Sequence, residues 1–139
     1  MLYDPRLVQP MREELTSIGF KELKTAAEVD KAMQSAKGTT LLLVNSVCGC
    51  AAGQARPGVA LALTNSVVPD NLFTVFAGQD VEATTQARSY IMGYQPSSPS
   101  VALFKDGELV EMVERFQIEN HSADQVAVKL IEAFKTHCN

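Results

Sequence analysis

A short apolar run, Leu41-Leu42-Leu43-Val44, leads into Cys48-Gly49-Cys50, and the helix-prone stretch Ala51-Ala52-Gly53-Gln54-Ala55-Arg56 follows at once. The run is too short for a helix or a membrane span and reads as a buried strand. A side chain where a strand hands over to a helix faces the unpaired N–H groups and positive dipole end of the first turn, which favour negative charge. The thiolate is the reactive form of cysteine, so a thiol at this junction is placed for nucleophilic chemistry. The expected activity class is therefore thiol–disulfide exchange.

Energetics limit how far the dipole can take this. Lowering a thiol pKa from about 8.5 to about 6.5 needs about 3 kcal/mol of preferential thiolate stabilisation. A helix dipole supplies about 0.3–1 kcal/mol. Backbone N–H groups of Gly49 to Ala51 donating to the sulfur have to contribute the rest. Cys48, at the strand end, is the expected nucleophile, and Cys50, entering the helix, the resolving thiol. Residues two apart can bring their Cα atoms within the disulfide range of about 4.4–6.8 Å. The small ring is expected to be strained, hence more oxidising and better suited to isomerisation or cap removal than to strong reduction. Gly49 is expected to give the turn conformational freedom and to admit a substrate chain.

The remaining punctuation places these residues in an alternating architecture. Leu7, Val8, Met11, Leu15 and Ile18 recur at helical spacing over residues 5–18, with Gly19 as a stop and Pro10 as a kink or a start. Thr25 and Glu28 form a capping box for a helix ended by Gly38. A strand over 40–46 enters the cysteine motif, and a helix over about 50–64 contains Pro57. Leu72–Phe76 reads as a strand, Asp80 as the cap of a helix over 81–92, and Val101–Phe104 as a strand. Asp106-Gly107 marks a hairpin whose returning strand runs from Leu109 to Phe116. Ser122 and Gln125 cap a last helix with Ala123, Val126, Ala127, Leu130, Ile131 and Phe134 as its apolar stripe. The order α-α-β-α-β-α-β-β-α predicts a three-layer α/β/α domain with helices on both faces of a mixed sheet. The two central strand–helix–strand steps are expected to be parallel and the late hairpin antiparallel.

Length and composition narrow the class further. The 139 residues fit one domain over 1–139, with 46% hydrophobic and 20% charged residues, as in a soluble globular protein. Net charge is −4 with no basic block, so nucleic acid is not an expected partner. The N-terminal residues lack a signal-peptide pattern, and no apolar run approaches the roughly 18 residues of a membrane span. A cytoplasmic location and no membrane association are expected. Three cysteines are too few for a disulfide framework. Cys138 reads as an exposed tail thiol, although Cys48, Cys50, His137 and Cys138 are together enough ligands for tetrahedral zinc. No dedicated metal site is expected. His121 reads as a capping or surface residue, Glu13-Glu14 and Glu111 with Glu114 as solvated faces. Arg56 reads as either a positive charge near the thiolate or its anionic substrate, or a solvated helix residue.

The chain also resembles known proteins. Two close cysteines at a strand-to-helix junction, Pro57 in the following helix, and Ser98-Pro99-Ser100 ahead of the Val101–Lys105 strand and its Asp106-Gly107 hairpin resemble the thioredoxin fold. The resemblance implies a cis peptide before Pro99 and substrate-binding roles for Gly49, Ser98 and Pro99, with the Ser98 backbone pairing to a substrate peptide. The longer pattern Val44-Asn45-Ser46-Val47-Cys48-Gly49-Cys50-Ala51-Ala52-Gly53, followed by Ala55-Arg56-Pro57-Gly58, resembles the bacilliredoxin family of CGC-motif thioredoxin-like proteins. That resemblance covers the whole chain and adds an N-terminal helix to the thioredoxin core. It implies an enzyme that removes bacillithiol, as co-substrate, from oxidised (S-thiolated) proteins through Cys48 and Cys50, with no tightly bound cofactor. Protein disulfide isomerisation is the alternative activity, and a non-catalytic thioredoxin-like or metal-binding module is a further alternative. Two departures from ordinary thioredoxins stand out. Val47 occupies the position of the usual Trp before the first cysteine, and Thr39 to Val47 carries no carboxylate to deprotonate the second.

Overall fold

In strand β2 (Thr39–Asn45) every residue is buried, and its apolar side chains are shared between two cores. Successive strand residues point to opposite faces, so Leu41 and Leu43 enter one core while Leu42 and Val44 enter the other. A strand buried on both sides needs a helical layer above and below. The computed structural model, which describes residues 2–139, supplies both. Helices α1 (Pro5–Thr16), α3 (Arg56–Ala62) and α6 (Ala123–His137) cover the first face through Leu15, Val59, Ala62, Val126, Leu130 and Phe134. Helices α2 (Ala26–Ser35) and α4 (Val81–Arg88) cover the second through Val29, Ala32, Ala83 and Ala87.

The sheet has five strands in the order β1-β3-β2-β4-β5. They are β1 (Lys21–Glu22), β3 (Asn71–Phe76), β4 (Ser100–Lys105) and β5 (Glu108–Val113) around β2. β1 and β2 run parallel to β3, whereas β4 is antiparallel to β2 and to β5. The architecture is the expected α/β/α sandwich with a mixed sheet, but one pairing differs from the expectation. Only the first central strand–helix–strand step is parallel. After β3 the chain passes through α4 and the loop 89–99 and re-enters at the end of the sheet it had left. Phe76, the last residue of β3, lies opposite Asn45, and Ser100, the first of β4, lies opposite Val44. The ends of β2, β3 and β5 and the start of β4 therefore gather at one end of the sheet.

Several local expectations are corrected. The returning strand stops at Val113, and Arg115–Ile118 form a short helix, α5, with a complete Glu114/Gln117 capping box. Glu114 is thus a cap rather than part of a solvated face. α4 ends at Arg88. Asp80 occupies its N-cap position, but the carboxylate binds buried Arg12 at 2.7 Å instead of capping. Arg12 also pairs with Glu22 and lies 5.2 Å from the Phe76 ring centroid. Arg12 thus occupies the buried side of α1, and Leu7, expected in the core, is exposed. Pro10 lies inside α1, which begins at Pro5. The segment after the cysteines is wound as a π-helix over Ala51–Ala55, and Pro57 sits in the first turn of α3 beyond it. The Ser122/Gln125 capping box forms with both bonds, at 2.9 and 3.1 Å. No helix among the described residues is long and apolar enough to cross a membrane.

Helices α3 and α6 meet at Gly58, where an added Cβ would lie 2.8 Å from the Val126 Cβ and 3.0 Å from the Ala123 carbonyl oxygen. Alanine normally gains about 1 kcal/mol over glycine inside a helix. Here the overpacking cost of about 1–3 kcal/mol opposes it, because a β-branched Cβ and a backbone oxygen cannot swing aside. Gly58→Ala is expected to lower the urea midpoint. An unchanged or raised midpoint would show that the two helices separate freely.

Candidate active site at the strand end

Beyond β2 the backbone turns through Ser46 and Val47 into Cys48, whose carbonyl accepts from the Ala51 and Ala52 N–H groups at 3.1 and 3.2 Å. Those bonds begin the helical segment, so Cys48 stands at its N-terminal edge. The Ser46 hydroxyl accepts from the Cys48 N–H at 3.3 Å. Both motif cysteines are free thiols, half-buried, with Sγ atoms 2.6 Å apart. Gly49 between them is exposed, its φ is not positive, and a Cβ there would meet nothing within 4 Å. The conformational freedom expected of Gly49 is therefore not used; what it leaves is an open approach to the sulfurs.

The two thiols are polarised in opposite directions. Burial pushes the Cys48 thiol up. Hydrogen bonds from the Cys50 thiol, the Ser46 hydroxyl and the backbone N–H groups of Ala51 and Cys50 outweigh burial and hold it below the ordinary thiol range. Burial also pushes Cys50 up, and there the neighbouring Cys48, as hydrogen-bond acceptor and as charge, adds to the rise. Arg115 opposes that rise. The expected backbone contribution thus comes from Cys50 and Ala51.

Behind the motif lies a network that sequence reasoning missed. Arg56, only 2% exposed, donates Nη1 to the Asn45 Oδ1 at 2.8 Å and to the Ser46 carbonyl at 3.0 Å. Asn45 Oδ1 also accepts from the Ser46 N–H at 2.9 Å, and the Asn45 amide donates to the Met11 carbonyl at 3.2 Å. The Arg56 Nε lies 3.2 Å from the Glu14 carboxylate, as an ion pair without hydrogen-bond alignment. Arg56 is therefore neither a solvated residue nor a charge facing substrate. It ties the helix to the loop that carries Cys48, and Glu14, exposed as expected of a solvated face, is its counter-ion. The π-wound turn is the local means: the Arg56 N–H bonds the Ala51 carbonyl, five residues back.

In front of the motif is an open cleft of about 320 Å³. Ser46, Val47 and Cys48 form one wall and Ala77 and Gly78, beyond β3, another. Tyr3, Arg88, Ser98 and Arg115 complete it. Tyr3 is fixed by paired bonds to Gln79, 2.8 Å from its N–H and 3.1 Å to its carbonyl. The Ser98–Pro99 peptide is cis, and the Ser98 carbonyl accepts from Arg115 Nη1 at 3.2 Å. Arg115 also pairs with Glu119 at 3.1 Å. Tyr3, Arg88 and Arg115 carried no sequence signal, because the cleft collects segments far apart in the chain. Cys138 and His137 are not part of this site. Cys138 neighbours Thr39, at the other end of β2, roughly 20 Å away at about 3.3 Å per residue. The four residues considered as a zinc set cannot converge on one ion. Cys138 is partly buried against the first core rather than freely exposed, and burial raises its thiol. His121 is exposed ahead of α6, as expected.

Arg56→Met keeps much of the side-chain volume but leaves the Ser46 carbonyl without its donor, at a cost of about 1–3 kcal/mol. A matching loss in urea denaturation is expected, with only partial recovery in Arg56→Lys, because an ammonium cannot reproduce the fork. Full recovery in the lysine variant would show that charge alone suffices.

Comparison with known proteins agrees with this geometry. Solved structures sharing the fold include thioredoxin O1 of Arabidopsis thaliana, with a TM-score of 0.60 at 15% identity, covering 87% of this chain and 99% of that one. Fasciola hepatica thioredoxin matches with a TM-score of 0.57 at 22% identity, covering 85% and 99%. A family model described as disulphide isomerase matches residues 3–138. A bacilliredoxin of Salinibacter ruber is 54% identical over 99% of this chain and 82% of its own length. One from Geobacillus kaustophilus is 52% identical over 98% and 94%, and one from Koribacter versatilis 49% identical over 99% and 94%. The chain belongs to the bacilliredoxin family and is a thiol–disulfide oxidoreductase of thioredoxin-like fold.

Proposed function

We propose that the protein removes bacillithiol from mixed disulfides on oxidised proteins, with Cys48 as nucleophile and Cys50 as resolving thiol. The opposite polarisation of two sulfurs 2.6 Å apart carries this reading. Cys48 thiolate attacks the bacillithiol sulfur of the mixed disulfide. The bond from that sulfur to the client cysteine breaks, the client leaves as a thiolate and takes up a proton, and bacillithiol is carried on Cys48. Capping Cys48 removes the negative charge and acceptor that hold the Cys50 proton. Cys50 then ionises more readily, with Arg115 favouring its thiolate. Its attack on the Cys48 sulfur forms the Cys48–Cys50 disulfide and expels bacillithiol as a thiolate. Reduced thiols, a second bacillithiol or a dithiol reductase, return the pair to its starting state by exchange. The chemistry needs no tightly bound cofactor. It takes place in the cytoplasm, where bacillithiol and client proteins meet, without membrane or nucleic acid.

Gly49, Ser98 and Pro99 receive the client chain in this scheme. Gly49 offers no side chain to obstruct approach, and the Ser98 backbone, whose carbonyl accepts from Arg115, lies on the wall of the same cleft. The disulphide isomerase description of the matching family supports a second use of the same pair, attack by Cys48 on a protein disulfide followed by rearrangement. In that case the transient adduct is a protein rather than a small thiol.

Two measurements test this. In Cys50→Ala, intact-mass analysis after mixing with a bacillithiol-capped protein is expected to show one bacillithiol adduct on Cys48 beside decapped client. An adduct of whole client on Cys48 would instead favour isomerisation, and a free Cys48 would defeat both. Separately, the pH midpoint of Cys48 alkylation is expected below the ordinary thiol value of about 8.5 in the wild type. It should move upward in Cys50→Ala, since the lost thiol proton stabilised the Cys48 thiolate. A downward move would contradict the assignment of Cys50 as donor.

A further inference from the structure

Arg88 is the least satisfied cation near the site. Its Nε is buried without a hydrogen-bond partner, and its Nη2 makes one long bond, 3.4 Å, to the Ser97 carbonyl. Among the described residues no carboxylate lies within ion-pair distance of it, in contrast to Arg12, Arg56 and Arg115. Burial without a counter-ion holds its pKa below the usual arginine range. An uncompensated guanidinium in a partly dry setting is costly unless something anionic binds it. Arg88 lines the same cleft as Cys48 and Arg115, and no acidic side chain lines that cleft, although the chain as a whole carries a net charge of −4. Arg115 spends its Nε on Glu119 and its Nη1 on Ser98, and neither bond uses Nη2.

We infer that Arg88, with Arg115, forms a receptor for a carboxylate of the small thiol, so that the cleft selects anionic low-molecular-weight thiols over neutral ones. The inference rests on the small-thiol reading above. A guanidinium fork matches a carboxylate in shape and charge. A cleft of about 320 Å³ is of small-molecule size rather than that of a folded client. The receptor also answers an electrostatic difficulty. An anionic cap approaching the Cys48 thiolate is repelled by it, and two cations on the same cleft offset that repulsion and place the cap sulfur before Cys48. Arg88 is a binding residue in this account; no proton or electron passes through it.

The test uses a reporter protein thiol capped with 3-mercaptopropionate (anionic), 2-mercaptoethanol (neutral) or cysteamine (cationic). The readout is the single-turnover rate at which the reduced protein uncaps each. Ratios between wild type and variant cancel the intrinsic reactivity of the three caps. The anionic-to-neutral ratio is expected to fall about tenfold in Arg88→Gln, in line with loss of a charge-assisted pair, and to recover in part in Arg88→Lys. A ratio unmoved in Arg88→Gln would overturn the receptor. The unmodified protein supplies an independent arm with opposite signs. Raising ionic strength from about 0.01 M to about 1 M shortens the screening length from ~30 Å to ~3 Å. With a receptor, the anionic-to-neutral ratio falls with salt; with thiolate repulsion alone, it rises, and that result would also overturn the proposal. Uncapping of neutral and anionic adducts without charge preference defeats the receptor and leaves the oxidoreductase reading standing. Failure to uncap the anionic adduct while a bacillithiol-capped reporter is uncapped overturns the receptor alone, and failure on that reporter as well defeats the small-thiol reading.

Discussion

A guanidinium held out of water joins the end of the central strand to the helix that follows the cysteines. Arg56 is fixed by Asn45, by the Ser46 carbonyl and by the Glu14 charge, so the loop 46–48 is bound to both elements it connects. The position of Cys48 depends on that clamp. Its amide is bonded to Ser46, and its carbonyl caps the first helical turn. The arrangement is demanding, because removing any partner strands a buried polar group. The π-wound turn adjoins the same arrangement, since its last backbone bond runs from the Arg56 N–H to the Ala51 carbonyl. Insertions of this kind often occur at functional sites.

With the loop held, the electrostatics of the pair follow from proximity. The contact between the two sulfurs favours the thiolate on Cys48 and the protonated thiol on Cys50. Cys48 is thereby the easier of the two thiols to ionise. The polarity is also conditional. In the proposed exchange, consuming Cys48 in a mixed disulfide removes the influence that raises Cys50, while Arg115 favours the Cys50 thiolate. In that scheme one arrangement gives the two thiols their order of action.

Much of the fold was legible because its signals are local. The Leu41–Val44 run, the Ser122/Gln125 box, the Asp106-Gly107 turn and the spacing of Val126, Leu130 and Phe134 each act within a few residues. Errors fell where a distant partner overrode a local preference. Asp80 has the chemistry of a cap but is claimed by Arg12. Arg12 looks like a surface residue of α1 until Glu22 and Asp80 surround it. Arg56 reads equally as a solvated residue or as a charge near the thiolate, yet it is buried and reaches the exposed carboxylate of Glu14. β4 is antiparallel to β2, whereas a strand after a helix reads as parallel, because the chain re-enters through the loop 89–99 at the end of the sheet it had left.

The amino-acid sequence determined the cysteine pair, the strand and helix that flank it and the layered α/β class, because hydrophobic period, capping and cysteine spacing are short-range properties. Tertiary structure alone decided which cysteine is the easier to ionise and what stands before it. Tyr3, Ser46, Arg88, Ser98 and Arg115 come from segments far apart in sequence. They meet because the ends of β2, β3 and β5 and the start of β4 lie at one end of the sheet. A thiol's charge depends on the donors within a few ångströms of it. That neighbourhood exists only after the sheet has closed.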